Sequence, residues 1–178
     1  FHSIDRNRGY GYGIKSAFRY INSPYFGWTH GDNQTDIFDI IRFRNLLLER
    51  INSHSASEIK YCFKGVRYAR PISDSIISSL MSFMASFLYF PMTLKEINAQ
   101  PSIYHVDLLK HISNSPDDYN LDAFMLIQAK RLRFILCKLP VLFPNREFGI
   151  SSWNKGLVAK LKFMFNQLYF LIKNRFYF

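Results

Sequence analysis

Apolar residues recur at helical spacing after Thr35, where Ile37, Ile40, Ile41, Leu47, Leu48 and Ile51 mark one face and Phe38 and Leu46 widen it. Thr35 can cap this helix, and Asp36 and Asp39 favour its positive N-terminal end. Arg42, Arg44 and Arg50 fall on the remaining surface. The period changes between Glu58 and Arg70. Ile59, Tyr61 and Phe63 alternate with Lys60, Cys62 and Lys64, the pattern of a half-buried strand. Gly65 permits a bend, after which Val66 and Tyr68 alternate with Arg67 and the chain reaches Arg70. With both halves extended, Lys64, Arg67 and Arg70 line one edge of a small sheet, either as an RNA-binding edge or as an ordinary basic face.

Ser75 to Leu94 is the one long stretch without a formal charge, and Pro71, Ser73 and Asp74 form a helix start before it. Its length, about twenty residues, is that of a bilayer span. Its content argues otherwise. Ser75, Ser78, Ser79, Ser82 and Ser86 dilute the apolar character, and Pro91 breaks the last turn. The favoured reading is a buried helix of a folded domain, with a transmembrane helix over 75–94 as the alternative.

Residues 95–120 read as mostly irregular, punctuated by Pro101 and Pro116, with one short helix over Ile103–Ile112. A longer helix is expected from Leu121 until Pro140 stops it, with Leu121, Phe124, Met125, Leu132, Ile135 and Leu136 as its core face. Its second half concentrates Lys130, Arg131, Arg133 and Lys138. The last helix, starting near Ser151 or Ser152, sets Trp153, Leu157, Leu161, Met164 and Leu168 against Lys155, Lys160, Lys162 and Lys173. A basic amphipathic helix of this kind suits a core, an RNA contact or a membrane surface.

The first 33 residues look different. Gly9, Gly11 and Gly13 alternate with Tyr10 and Tyr12, and Pro24 follows Ser23, which argues for an extended arm with turns. Arg6, Arg8, Lys15 and Arg19 are interleaved with aromatic residues, a composition that binds phosphates and stacks on unpaired bases, or packs on the protein itself. The GYGYG run lacks the strand and the glycine spacing of a phosphate-binding fingerprint. The expected architecture is therefore α+β, helix-rich, with about four helices around a short sheet or hairpin. Residues 1–33 form the arm, and 34–178 form a single mainly helical domain with an aromatic C-terminal tail.

Charge and composition turn this architecture into a functional expectation. The chain has 178 residues, 23 Lys and Arg against 13 Asp and Glu, and a net charge of +10, so an anionic partner is expected. Its 18 Phe and 11 Tyr, with abundant Ile and Asn, match the usage of AT-rich organellar genomes. Cys62 and Cys137 read as two reduced thiols, and the first residues carry no secretory signal. The histidines complete no recognisable metal set, and no P-loop, GxSxG, HExxH, CxxC or EF-hand motif occurs.

These features predict a non-enzymatic, structural RNA-binding constituent of a mitochondrial ribosome, located in the matrix. Its partners would be rRNA and neighbouring ribosomal proteins, with no cofactor, metal or small-molecule substrate. The phosphate contacts would be Arg6, Arg8, Lys15, Arg19, Arg42, Arg44, Lys64, Arg67, Arg70, Lys130, Arg131, Arg133, Lys155, Lys160 and Lys162. The alternative is an accessory subunit of an inner-membrane respiratory complex, with 75–94 crossing the bilayer.

Overall fold

The computed structural model describes residues 2–32, 34–53, 59–144 and 156–176. Four strands form one mixed sheet in the order β1-β3-β2-β4: β1 (Tyr25–Trp28), β2 (Tyr61–Tyr68), β3 (Ser102–His105) and β4 (Ile135–Leu142). β3 runs antiparallel to both of its neighbours, while β2 and β4 are parallel. Among the described residues there are five α-helices, α1 (Tyr10–Ser16), α2 (Phe38–Ser53), α3 (Ile72–Leu88), α4 (Leu121–Arg131) and α5 (Leu157–Asn174), with short 3-10 helices at Phe18–Tyr20 and Val106–His111. The fold is α+β, as the sequence indicates.

Alternation along β2 distributes its side chains between two helical layers. Cys62 faces Tyr104, Phe124, Met125 and Ala129 on the α4 side. Tyr61 and Phe63 face Phe43 and Leu47 of α2. α4 is buried around most of its circumference, because its far side packs Ala123, Leu126 and Ile127 against Ala85 of α3 and Leu171 of α5. That accounts for a helix with apolar residues in almost every direction.

Several elements differ from the sequence-based expectation. Residues 1–33 carry α1, a 3-10 turn and edge strand β1 where an extended arm was expected. Gly11 is the physical reason: a Cβ there would lie 2.6 Å from the Pro116 carbonyl oxygen, so only glycine lets α1 approach that backbone. The Tyr12 amide then donates to the Asp117 carbonyl at 2.9 Å. The helix expected over 103–112 is β3 followed by a 3-10 turn, since Ser102–His105 is paired on both sides. The helix expected to run to Pro140 stops at Arg131. Arg133 adopts a left-handed φ of 60°, and the chain re-enters the sheet as β4. Pro140 is tolerated there because β4 is an edge strand.

α2 is capped by Asp36, whose Oδ1 accepts the Phe38 amide at 2.9 Å, while the Thr35 hydroxyl bonds Thr29. α3 ends at Leu88, and the Ser86 hydroxyl accepts the Leu94 amide as the chain turns back. No helix among the described residues is long and apolar enough to cross a membrane, which removes the spanning alternative for 75–94. The expected start of the last helix, with Trp153 and Lys155, lies outside the described residues.

Candidate active site at the sheet edge

Because β1 and β2 are each antiparallel to β3, strands β1, β2 and β4 all run in one direction; β2 and β4 end together at Tyr68 and Leu142, and β1 ends earlier, level with Lys64. Open sheets present their ligand sites beyond the carboxyl ends of such strands. One register row crosses the sheet at the end of β1 and the middle of β2 and β4: Trp28 opposite Ser102, Ser102 opposite Lys64, and Lys64 opposite Lys138. Partners in a row project to the same face, and that face receives the first turn of α4 with Asp122.

Asp122 is buried and fully engaged. Its Oδ2 accepts the Tyr10 hydroxyl at 2.8 Å, and its Oδ1 accepts the Trp28 indole N–H at 3.1 Å. The Lys64 ammonium lies 3.9 Å from Oδ1 and donates to the Ile97 carbonyl and the Ser102 hydroxyl, both at 2.9 Å. The Gln100 side-chain amide donates to the Tyr10 hydroxyl, so Tyr10 bridges the arm segment to the loop before β3. Burial pushes the Lys64 ammonium down to about 8, opposed by the attraction of Asp122. Burial, reinforced by Asp122, pushes the Tyr10 hydroxyl far above its ordinary range, so it serves as a fixed hydrogen-bond donor.

A second cluster adjoins the first at Glu96–Ile97. Glu96 holds two arginines at once: Arg67 Nε donates to Oε2 at 2.9 Å and Arg70 Nη2 donates to Oε1 at 2.8 Å. Arg70 Nη1 also donates to the Ser78 hydroxyl at 2.9 Å. The backbone is strained on both sides of this fork, with Ala69 at φ 56° and Glu96 at φ 53°. Non-glycine residues held in the left-handed region cost roughly 1–3 kcal/mol each and concentrate at functional sites. Arg67 covers the Phe143 ring at 5.4 Å, and that ring lies 5.3 Å from His30, in the loop after β1. His30 Nδ1 is 4.0 Å from Asp32 Oδ1 in the same loop.

The cations expected to contact phosphate are dispersed by the fold. Lys64, Arg67 and Arg70 alone reach this edge, all within ion-pair or hydrogen-bonding networks. Arg8 covers Tyr12 and Arg19 covers Tyr20, while Arg6 is exposed. Lys15 pairs with Asp117, Arg42 with Asp39 and Lys160 with Asp74. Arg131 lies over the Tyr89 ring, Lys130 is half-buried, and Arg44 and Lys162 are exposed. Arg133 joins Lys60, Asp107 and His111 around a cleft of about 460 Å³ at the opposite end of the sheet. Lys155 lies outside the described residues. Asp122, Tyr10, Trp28, Gln100, Glu96, His30 and Asp32 are absent from the sequence-derived set. No local spacing connects them, since they come from separate segments joined only by the fold.

In fold, the chain resembles solved structures of a glycosyltransferase. In particular, the chain is similar to glucosyl-3-phosphoglycerate synthase from Mycobacterium tuberculosis. Against its complex with Mn2+, UDP and glucosyl-3-phosphoglycerate, the TM-score is 0.62 at 11% identity, covering 97% of this chain and 56% of that one. Against its complex with phosphoglyceric acid, the TM-score is 0.60 at 12% identity with the same coverage. This chain thus spans little more than half the length of those structures, and the likeness is one of fold. No protein-family model matches the chain, and no curated protein matches it in sequence.

These neighbours are neither ribosomal nor respiratory-complex proteins, which corrects the expected function. The expectations of a non-enzyme, of mitochondrial ribosomal identity, of rRNA as partner and of no small-molecule substrate are corrected with it. The physical reason lies in two features the sequence obscures. Many of the cations counted as free are paired within the protein, and the fold joins them to acidic residues from distant segments.

Proposed function

We propose that this chain is part of a glycosyltransferase that moves a sugar from a nucleoside diphosphate to a hydroxyl-bearing acceptor. The observation that carries this reading is the placement, in a fold like that of a solved glycosyltransferase, of a carboxylate and cation network that runs from the middle of β2 to just past its carboxyl end. In the reaction, the bond from the anomeric carbon to the diphosphate oxygen breaks and a bond to the acceptor oxygen forms. The hydroxyl proton leaves to a base or to water, and the nucleoside diphosphate departs with the electron pair.

Arg67 and Arg70 supply positive charge at this edge, and guanidinium groups suit diphosphate recognition. Arg70 Nε is buried without a hydrogen-bond partner among the described residues, a donor that an anionic ligand can take up. Asp122 acts through Tyr10, Trp28 and Lys64, holding the floor of the site in one arrangement.

The structural neighbours include complexes with Mn2+. Among the described residues of this chain, no three His, Cys, Asp or Glu side chains gather into a metal set. A divalent cation shared with a diphosphate needs only one or two protein ligands. Asp32, with His30 beside it, would hold such an ion. When bound, it would offset negative charge on the departing diphosphate.

Calorimetric titration of UDP, GDP and ADP, with and without Mn2+, tests the reading. One nucleoside diphosphate should bind in preference, more weakly to Asp32→Asn and to Arg70→Ala. Absence of binding to all three by the folded chain refutes it.

A further inference from the structure

α3 and α5 lie side by side and run in the same direction. Lys160 meets Asp74 at 2.6 Å near their starts, and the Tyr89 hydroxyl donates to the Leu171 carbonyl at 3.0 Å near their ends. Each helix uses one face for this packing and for the core, with Met81 and Ala85 of α3 and Leu171 of α5 buried. Their outward faces are nonetheless apolar. On α3, Ile76, Phe83 and Phe87 recur at helical spacing, with the two phenylalanines 69% and 75% exposed. On α5, Phe165, Tyr169 and Ile172 do the same, at 60%, 67% and 52% exposure. Soluble monomers rarely leave a contiguous apolar surface of this kind open, and such a surface marks an interaction site.

Charge decides among the possible occupants. The only acidic residue on either helix is Asp74, which is buried and paired with Lys160. Lys162 and Lys173 stand exposed one helical turn from Phe165 and Tyr169, and Arg175 follows. A second copy would oppose this cationic border, and a net charge of +10, with its like. An anionic surface complements both. Neither helix can cross a bilayer, so the arrangement that remains has both lying in its plane.

We infer that the α3–α5 face docks this protein on an anionic lipid bilayer, with the aromatic residues seated at the headgroup and acyl boundary and Lys162, Lys173 and Arg175 against the headgroups. The inference does not depend on the chemistry of the sheet-edge site. It is tested by flotation of the 178-residue chain with vesicles of phosphatidylcholine alone or mixed with phosphatidylglycerol. The chain should float with the mixed vesicles and be released by high salt. The double variant Phe83→Ser/Phe165→Ser changes only exposed side chains, and its fold is checked by circular dichroism. It should bind at least about tenfold more weakly. A folded chain that stays with the bulk solution in the presence of mixed vesicles overturns the inference, as does equal binding by the double variant. A dimer in light scattering that the double variant splits, without vesicle binding, also overturns it, because the occupant is then a second copy.

Discussion

Lys64, in the middle of β2, and Asp122, in the first turn of α4, face each other at 3.9 Å with their side chains 0% and 4% exposed. Removing one member of a buried pair leaves the other charge without compensation, at a cost of about 3–5 kcal/mol. Asp122→Ala should lose stability on that scale, since it also strands the donors of Tyr10 and Trp28. Equilibrium urea unfolding measures it. A loss below about 1 kcal/mol would mean that the pair is not what ties α4 to the sheet.

The same lysine predicts a pH dependence of definite sign. Its folded-state value, about 8, lies below its ordinary 10.5, so between the two the unfolded chain binds more protons than the folded one. Stability contributed by this group therefore rises with pH across that window, and below about 8 the buried charge costs on the order of 3 kcal/mol. Relative to Lys64→Met, the wild-type protein should gain stability as pH climbs from 8 to 10.5. A stability difference that stays flat over this range contradicts the assignment.

Gly11 and Gly13 sit in the same short helix and should respond in opposite ways to alanine. At Gly11 a methyl group would come within 2.6–2.8 Å of the backbone of residues 116–118, which must shift, so Gly11→Ala should detach α1. At Gly13 the nearest atom is 3.8 Å away, and Gly13→Ala should be neutral or stabilising by up to about 1 kcal/mol. Thermal unfolding of the two variants makes the comparison directly.

Glu96 combines a strained backbone with two ion pairs, and two substitutions separate those contributions. Both Glu96→Ala and Glu96→Gly lose the arginine contacts, but only glycine relieves the left-handed conformation. The glycine variant should be the more stable of the two by about 1 kcal/mol, the reverse of the usual order. Urea midpoints in which alanine equals or exceeds glycine would place the strain elsewhere.

Local pattern made much of the scaffold legible. The apolar run after Asp36 locates α2 but not its buried face, since Phe43 and Leu47 pack inward while Ile37, Phe38, Ile40, Ile41, Leu48 and Ile51 are exposed. The alternation from Ile59 marks β2, and Pro71 with Asp74 marks the start of α3. These elements carry their information within a few residues, through side-chain period and capping chemistry. β1, β3 and β4 do not. Tyr25–Trp28 and Ser102–His105 are four residues each, and they are held as strands by pairing with one another and with β2. Ile135–Leu142 reads as the end of a helix until Arg133 takes up its left-handed turn and β2 is available beside it.

By itself the sequence determined the α+β class, the positions of α2 and α3, the β2 strand and the basic, aromatic character that any partner must meet, whereas α3, expected to be buried, keeps Ile76, Phe83 and Phe87 exposed. Tertiary structure alone decided what that character is for. It sends Lys15, Arg67, Arg70 and Lys160 into internal ion pairs. It also brings Tyr10, Trp28, Lys64, Gln100 and Asp122 from five separate segments into one connected polar network. Hydrogen bonds and charge pairs act over a few ångströms of space, whatever the distance along the chain, so a site assembled this way leaves no spacing in the sequence to find.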